Sequence, residues 1–561
     1  MYASLQTLDY VAVIVYIALM AVVGMLFAWI VKDSGSYFKG GGAIPWTMAA
    51  VTNFMGLFST FVFVAYAGVA YEYGLVSISV FWSFVPACII GGLFFAKRWR
   101  RSGYTTPTEY LELRYNFPVR EVTSWVGLVM RFLDNMVRLY AIGIFITAVT
   151  PLSLEWSIII SGVIVTLFNL FGGMWSVSIM STIQFVIMIL VTLVLLPLSL
   201  QDAGGLGHIQ EVMPDHLKWF NGPKGAPFWF TVYTIMSIIK SNENWTFIQK
   251  YYCVRDEKSA QKTAWVTALL FLVFTPVFLL PAVAGPIIVP GIENPEMSYV
   301  AISSKLLPVG IMGILFSSMF AATMSSLNAE YNVMSGVVTH DIYKRLFNKD
   351  ATDKQMLRVA RWSTLIIGIV MTGGAILIQG IGGAFEANKL FTGILAIPLG
   401  IPLILGIVAK RPGGAAAMLT IIAGVSFGTI VNLIPAISWE LGTMLEMIFC
   451  LVIYFFPYKE RRSEAKQREV SEFFKKLSSP IPESEKPVIS PQYKKVLVSL
   501  FAFSFAVAGF LFCGLSIPSI STRGGLYSFI AGALCLAAAA GTVLFSKRRL
   551  LTRKFNKTSK I

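Results

Sequence analysis

The chain has 561 residues and carries 45 Lys and Arg against 29 Asp and Glu, which gives a formal net charge of +16. Only 13 % of its residues are charged and 56 % are hydrophobic, whereas a soluble protein carries about 25 % charged residues. This composition excludes a soluble globular protein. The three histidines and five cysteines lack the spacing of metal ligands or of a disulfide framework, and no segment brings together a nucleophile, a base and an orienting residue. The sequence therefore predicts neither an enzyme nor a zinc or haem centre.

Apolar runs recur along the whole chain, and each is long enough to cross a hydrocarbon core of about 30 Å. They predict an all-α polytopic membrane protein with about fifteen transmembrane helices. The first run follows Asp9, has no Lys or Arg before it and no cleavage site after it, so we expect it to be retained rather than removed as a signal peptide. The runs lie near 10–31, 45–71, 75–96, 121–150, 154–172, 177–199, 227–250, 263–285, 306–339, 360–380, 388–409, 413–434, 437–457, 496–517 and 525–546.

Positive charge is distributed unevenly between alternate connections. If the N-terminus lies outside, nearly every Lys and Arg between the runs falls on the inner side. The outer connections then hold only Lys218, Lys224, Lys305 and Arg523. Because cytoplasmic loops carry an excess of basic residues, this pattern predicts an N-out, C-in topology.

The C-terminal third of the chain divides at a polar stretch. Residues 412–457 hold two accessory spans, and 458–492 form a charged amphipathic segment followed by a proline-rich linker. Two more spans occupy 493–546, and the basic tail 547–561 is expected to lie beside anionic lipid headgroups. No loop is long enough to form an independent globular domain.

Charged residues inside apolar runs are expensive and face a protein interior or a water-filled path. Arg131, Asp134 and Arg138 lie on one helical face, which favours a structural ion-pair cluster over contact with a substrate. The run from Lys240 to Trp245 interrupts the seventh span with polar side chains. Either it is unwound and lines a cavity, or it is an interfacial helix end with Lys240 paired to Glu243.

Two further runs carry polar residues that suit a cation site. In the ninth, hydroxyls of Thr323, Ser325 and Ser326 either bond to their own backbone or supply oxygen ligands. Sodium is a hard cation that needs several oxygens and no carboxylate. The second run holds Gly56 and Ser59 at mid-depth, where a broken helix would free backbone carbonyls as further ligands.

Six stretches follow one another in the order of a known family. The central one is AATMSSLNAEYN at 321–332, which continues to THDIYKR at 339–345. The others are AGVAYEYG at 67–74, TPTEYLELR at 106–114, QFVIM at 184–188, QKYY at 249–252 with EKSA at 257–260, and GIVAKR at 406–411. Together they resemble the sodium:solute symporter family, which includes sodium/sugar and sodium/proline cotransporters.

The resemblance implies a LeuT-like fold of two inverted five-helix repeats, at about 45–199 and 227–409, in a transporter core of 36–411. One extra N-terminal helix, in 1–35, precedes this core. It also implies a sodium site made by backbone carbonyls of the broken first core helix and by a carbonyl and two hydroxyls of the eighth. In this chain those positions are Met55, Phe58, Ala322, Ser325 and Ser326. Sodium as coupling ion is expected, without any other cofactor.

Departures from the family pattern bear on the ligands. Many members have an aspartate three residues before the glutamine matched by Gln184, and here Ser181 stands there, which argues against a second sodium site. The polar residues of sugar-binding members look replaced by Leu57, Val62 and Phe81, which argues against a simple hexose site.

We therefore expect a sodium-coupled symporter that imports a sugar, a sugar acid or another organic acid across the cell membrane by alternating access. Lys389 and Lys240 are expected to receive a carboxylate, unless Lys389 pairs with Glu243 or Glu386. The alternatives are a membrane sensor with a transporter-like core and an amino-acid transporter of the same family. The predicted partners are sodium, a small solute and an anionic inner leaflet, without nucleic acid. The expected substrate residues are Asn244, Glu243, Lys389, Lys240 and Trp245.

Overall fold

The computed structural model describes residues 5–28, 38–171, 174–222, 227–378, 384–458, 463–487 and 491–558. Over these residues the chain is helical and has no β-strand. The helices up to residue 212 are α1 (Thr7–Ala28), α2 (Trp46–Leu57), α3 (Val62–Tyr73), α4 (Val76–Ser102), α5 (Tyr110–Arg114), α6 (Phe117–Val149), α7 (Leu154–Phe171), α8 (Met174–Asp202) and α9 (Gly205–Val212). The helices that follow are α10 (Pro227–Glu243), α11 (Trp245–Cys253), α12 (Glu257–Ile288), α13 (Ser298–Leu306), α14 (Ile311–Phe347), α15 (Asp353–Leu377), α16 (Ala384–Phe391 continued by Ile397–Leu405), α17 (Gly414–Leu433), α18 (Trp439–Phe455), α19 (Glu464–Ser478), α20 (Pro491–Ser516) and α21 (Arg523–Thr558).

Among the described residues, ten helices are long and apolar enough to cross a membrane, and the bent pair of α2 and α3 makes an eleventh span. Shorter apolar helices lie at Thr7–Met20 and Leu154–Leu170. The polytopic helical class is confirmed, whereas the number of fifteen spans is not. The difference is four runs: the apolar helices Thr7–Met20 and Leu154–Leu170, the interrupted α10 and the 17-residue α18 are each too short to count as spans by length. The N-out, C-in topology stays a prediction.

The two halves of the core repeat one order of elements. Each opens with a broken helix, α2 with α3 in the first half and α10 with α11 in the second. A long helix follows (α4 or α12), then a short one (α5 or α13), then three more long helices (α6 to α8, or α14 to α16). This repetition is the pattern expected of two five-helix repeats.

Both predicted interruptions are present as breaks in the backbone. α2 ends at Leu57, Phe58 is extended (φ −87°, ψ 98°), and the axis bends by 56° before α3. Asn244 is extended (φ −62°, ψ 118°) between α10 and α11, so only this residue of the polar run is unwound. A helix end leaves carbonyls or amides without an intrahelical partner, so each break brings polar backbone groups into the helical core.

The N-terminal helix is fixed to the helix that carries the predicted sodium hydroxyls. Asp9 Oδ1 accepts hydrogen bonds from the backbone amides of Gly310 at 2.7 Å and Gly313 at 2.8 Å. A Cβ atom built on Gly313 would lie 2.5 Å from the carbonyl oxygen of Asp9, so the two backbones touch. Asp9 therefore caps the N-terminus of α14 from a different helix.

The predicted amphipathic segment forms α19, whose apolar face packs against the protein. The ring of Phe473 stacks on Tyr110 of α5 with centroids 5.9 Å apart, and Lys476 Nζ donates to the Ser102 carbonyl at 3.0 Å. The buried apolar residues of α19 are Val470, Phe473, Phe474 and Leu477. This helix therefore covers the connection between α4 and α6.

Candidate functional site between the broken helices

The break after α2 is attached to the middle of α14 by hydroxyl groups. The backbone amide of Thr60 donates to Thr323 Oγ1 at 2.7 Å, and Thr60 Oγ1 donates to the Met319 carbonyl at 2.7 Å. The Thr323 hydroxyl donates in turn to Thr60 Oγ1 at 2.6 Å. The non-helical segment is thus held against α14 at the level of its serines and threonine.

All five predicted sodium ligands are buried on these two elements. Met55 and Phe58 lie at the end of α2, and Ala322, Ser325 and Ser326 lie on α14. Because the Phe58 amide still donates to Phe54 while its own carbonyl lies beyond the last helical turn, that carbonyl is available to a ligand. Carbonyl and hydroxyl oxygens are the donor set that sodium prefers.

The two serines of α14 have different partners. The Ser325 hydroxyl contacts the Ser181 hydroxyl of α8, and the Ser326 hydroxyl donates to the Thr323 carbonyl at 2.9 Å. Ser181, where many family members have an aspartate, is thus adjacent to a predicted sodium ligand. Without a carboxylate, this part of the site offers sodium neutral oxygens only.

A cluster of six charged side chains connects the two broken helices. Asp134 binds Arg138 Nη2 at 3.0 Å and Lys240 Nζ at 3.4 Å, and Arg138 Nη1 donates to the Gly56 carbonyl at 2.8 Å. Arg138 therefore ties α6 to the end of α2 just before the break. This central charge cluster consists of Arg131, Asp134, Arg138, Lys240, Glu243 and Glu330.

Arg131 holds the other two carboxylates of the cluster. Its Nη2 atom lies 2.5 Å from Glu243 Oε1, and its Nη1 atom lies 3.9 Å from Glu330 Oε1. The predicted alternative of a Lys240–Glu243 pair is wrong, because each of these neighbours on α10 binds a partner on α6 instead. Of the two arginines that the helical spacing placed within reach of Asp134, Arg138 forms the ion pair.

Lys240 also contacts neutral polar groups of α16. Its Nζ atom lies 3.1 Å from Asn388 Oδ1 and 2.7 Å from Thr392 Oγ1, and Asn388 Nδ2 donates to Asp134 Oδ1 at 2.7 Å. Asn388 and Thr392 were not among the predicted substrate residues. Asn388 could have been found from the sequence, because it lies beside Lys389 as a polar residue at the start of an apolar run.

Lys389 lies in different surroundings from Lys240. Its Nζ atom lies 5.7 Å from the centre of the Trp439 ring, in a pocket of about 260 Å³ that Asn432 and Ser438 also line. The two lysines predicted to receive one carboxylate thus point towards different surroundings. The side chain of Glu386, the suggested partner of Lys389, lies outside the described residues.

Asn244 and Trp245 have structural contacts at the second break. Asn244 Oδ1 caps α11 by accepting from the amides of Thr246 at 3.0 Å and Phe247 at 3.2 Å. Trp245 is 1 % exposed, and its ring lies 2.4 Å from the position of a Cβ atom built on Gly127 of α6. These contacts fix the geometry of the break, and binding of a substrate by either residue stays a prediction.

An ion-pair network joins α5, α6 and the end of α14, beneath α19. Glu112 accepts from Arg120 Nη1 at 2.7 Å and from Arg345 Nε at 3.1 Å, while Arg120 Nε donates to Asp341 Oδ1 at 2.8 Å. Lys466 of α19 donates to the Glu112 carbonyl at 3.2 Å. The network holds the ends of α6 and α14 together.

We expect the Glu112→Gln variant to melt at a lower temperature than the wild type. Hydrogen bonds from Arg345 lower the pKa of Glu112 from 4.5 to about 2. A carboxyl with a depressed folded-state pKa contributes stability above its unfolded pKa and loses that contribution as the pH falls towards the folded value. Thermal melts should show a constant Tm difference from about pH 8 to about pH 5 and a shrinking one below about pH 4.5. The control Glu469→Gln removes the exposed partner of Lys466 and should change Tm little. A difference that is unchanged at the lowest pH would contradict the assignment.

The comparisons with known proteins identify the family. The family model for the sodium:solute symporter family matches residues 37–424. The chain belongs to the sodium:solute symporter family. It is 22 % identical to a sodium/glucose cotransporter of Vibrio parahaemolyticus over 495 residues. The aligned part covers 81 % of this chain and 90 % of that protein. A sodium/sialic acid symporter of Aliivibrio fischeri is 25 % identical over 75 % of this chain and 87 % of that protein.

A solved structure has the same fold. The substrate-bound, outward-open structure of a Na⁺-coupled sialic acid symporter superimposes with a TM-score of 0.73, at 20 % identity, over 82 % of this chain and 99 % of that one. This similarity confirms the predicted LeuT-like fold. The named relatives are transporters, and with the apolar helices they identify this symporter as a multi-pass protein of the plasma membrane.

Proposed function

We propose that this symporter uses one sodium ion to import a small organic anion, such as a sugar acid or another organic acid, by alternating access. The observation that supports an anionic substrate is the charge balance of the central charge cluster. Three cations (Arg131, Arg138 and Lys240) face three carboxylates there, so a bound sodium ion adds one positive charge to a buried, low-dielectric region. A monovalent anion bound beside it restores neutrality.

Lys240 is the cation best placed to receive the substrate carboxylate. Its contact with Asp134 is 3.4 Å long, and its two shorter contacts are to the neutral groups of Asn388 and Thr392. A substrate carboxylate that replaces one neutral partner gains a charge-assisted hydrogen bond. Lys240 lies one turn before the break at Asn244. Binding of the substrate carboxylate would therefore take place next to a backbone hinge.

In the proposed cycle, sodium binds first between the end of α2 and α14. Met55, Phe58 and Ala322 would supply carbonyls, and Ser325 and Ser326 would supply hydroxyls. This bridge stabilises one arrangement of the broken helix, and the anion then binds near Lys240 and the second break. Sodium and substrate would each favour the same state, which is the condition for coupling.

Uptake with electrical recording tests the anion directly. One sodium ion with a monovalent anion moves no net charge, whereas one sodium ion with a neutral sugar moves one charge, worth about 2.3 kcal/mol per 100 mV.

Purified protein is first screened by thermal shift against neutral sugars, sugar acids, monocarboxylates and amino acids in Na⁺ and in K⁺. A ligand at a hundred times its Kd adds about 2.7 kcal/mol. Sodium-dependent stabilisation by an acid, with uptake that carries no current, is the expected result. Stabilisation and an inward current with neutral sugars alone would overturn the proposal.

We expect different effects on anion affinity when Lys240 and Lys389 are each replaced by glutamine. Lys240→Gln should weaken binding of the identified anion at least about tenfold, because a charge-assisted hydrogen bond is lost. Lys389→Gln is the matched variant and should bind the anion with close to wild-type affinity, since Lys389 Nζ lies over the Trp439 ring. Equilibrium binding in saturating sodium measures both. Wild-type affinity in Lys240→Gln would exclude this residue as the anion receptor.

A further inference from the structure

Helices α7 and α15 pack against each other in close contact along part of their length. A Cβ atom built on Gly162 would lie 2.1 Å from Thr372 Oγ1, and one built on Gly368 would lie 2.1 Å from Thr166 Oγ1. Residue 162 thus faces 372 and residue 166 faces 368, so the helices run antiparallel. Only glycine permits these two approaches.

Beyond the second glycine the two helices leave a pocket between them. This pocket, the α7–α15 pocket, has a volume of about 500 Å³. Its apolar side is formed by Leu170, Leu357 and Leu365, next to the exposed ring of Trp362. The pocket therefore lies where the glycine contacts end and the first turns of α15 begin.

Three cations lie along one side of the pocket. Lys354, Arg358 and Arg361 line it at positions i, i+4 and i+7 of α15, which places them on one helical face. All three are exposed, and within the described part of the chain no ion pair or hydrogen bond joins any of them to a protein group. Among the described residues no carboxylate lines the pocket, and the acidic residue of the first turn, Asp353, is not part of its lining.

The same helix becomes apolar and exposed immediately after these cations. Trp362 is 61 % exposed, Ile366 58 % and Ile369 65 %, as expected of a helix face in contact with lipid. A tryptophan at the boundary between charged and apolar residues is typical of the membrane interface. The predicted topology places this boundary at the inner leaflet, which carries the anionic lipids.

We propose that the α7–α15 pocket binds the headgroup of an anionic phospholipid of the inner leaflet. Its phosphate would lie against Arg358 and Arg361, because guanidinium groups match phosphate oxygens in pairs. The acyl chains would follow the exposed face of Ile366 and Ile369. This site is separate from the central charge cluster and does not depend on which solute is transported.

The test uses the full-length protein in nanodiscs of phosphatidylcholine with increasing fractions of phosphatidylglycerol. We expect Tm of the wild type to rise with phosphatidylglycerol. The variant Lys354→Gln/Arg358→Gln/Arg361→Gln should need at least a tenfold higher fraction for the same rise. A matched variant, Lys258→Gln/Arg468→Gln/Lys475→Gln, removes the same charge from exposed positions elsewhere and should behave as the wild type.

Three results would overturn the proposal. An unchanged phosphatidylglycerol response in the pocket variant would remove the site, and an equal loss in the matched variant would reduce it to a general effect of charge. The same stabilisation by inorganic phosphate or glycerol 3-phosphate in phosphatidylcholine alone would identify a site for a soluble anion.

If the triple variant does not fold, Arg361→Gln alone is compared with the wild type by counting retained phosphatidylglycerol molecules in native mass spectrometry. Equal counts would then contradict the proposal.

Discussion

The double variant Ser325→Ala/Ser326→Ala is expected to lose sodium-dependent uptake. Both hydroxyls lie on α14 beside the break of α2, and both would be ligands of the proposed sodium ion. A hydrogen bond to a charged group is worth about 1.5–3 kcal/mol, and we take a similar contribution for each hydroxyl ligand. Loss of both should raise the sodium concentration for half-maximal uptake at least about a hundredfold. Initial uptake rates in proteoliposomes, measured over a sodium series, give this value.

Ser318→Ala is the matched control for this result. Ser318 is buried on the same helix, and its hydroxyl donates to the Leu315 carbonyl at 2.9 Å, away from the proposed ligand set. Its sodium dependence should equal that of the wild type. Sodium-dependent thermal stabilisation of the purified protein provides a second reading that does not need a known substrate. If the double variant keeps the wild-type sodium series, these serines are not ligands.

The breaks in the helices could be predicted because they depend on local chemistry. An uninterrupted apolar helix cannot expose Lys240, Asn242, Glu243 and Asn244 to lipid, so the sequence itself indicates an interruption. The observed unwinding is narrower than the polar run, because Asn244 alone adopts an extended backbone and caps the next helix. Side-chain capping can confine a break to a single residue, which a count of polar residues does not show.

The partners of the buried charges could not be predicted in the same way. Helical spacing placed Asp134 within reach of either Arg131 or Arg138 on α6, and the structure pairs it with Arg138. Glu243 and Lys240 also have a spacing that permits pairing, yet each binds an oppositely charged residue of α6. Contacts between helices depend on how the helices pack, and spacing within one helix contains no information on that packing.

A shift of one residue explains the outcome for Lys389. Successive residues of a helix point about 100° apart, so Asn388 and Lys389 face different neighbours. Asn388 joins Lys240 and Asp134, while Lys389 lies over Trp439. The sequence predicted Lys389 as the substrate residue of α16 and could not show that its neighbour Asn388 enters the cluster instead.

Replacing Arg131 by methionine is expected to destabilise the protein more than any other single change in the cluster. Arg131 is the only cation within 4 Å of Glu243 and Glu330 among the described ion pairs, and both carboxylates are at most 2 % exposed. Removal of one partner from a buried ion pair costs about 3–5 kcal/mol, because an uncompensated charge remains in the interior. We expect a large fall in Tm and a low yield of folded protein, measured by thermal melts and size-exclusion chromatography in one detergent.

The double variant Arg131→Met/Glu243→Gln separates lost charge balance from lost packing. It removes one charge of each sign, so it should recover part of the stability that Arg131→Met loses, although Glu330 still lacks its cation. Arg468→Met is the exposed control, since its partner Glu464 is also exposed, and it should change the free energy of unfolding by less than about 1 kcal/mol. A double variant no more stable than Arg131→Met would mean that the guanidinium contributes packing rather than charge. Recovery would instead show that the α10 break is held to α6 by an ion pair, and a transport cycle that moves this break must then move Arg131 and Glu243 together or separate them at this cost.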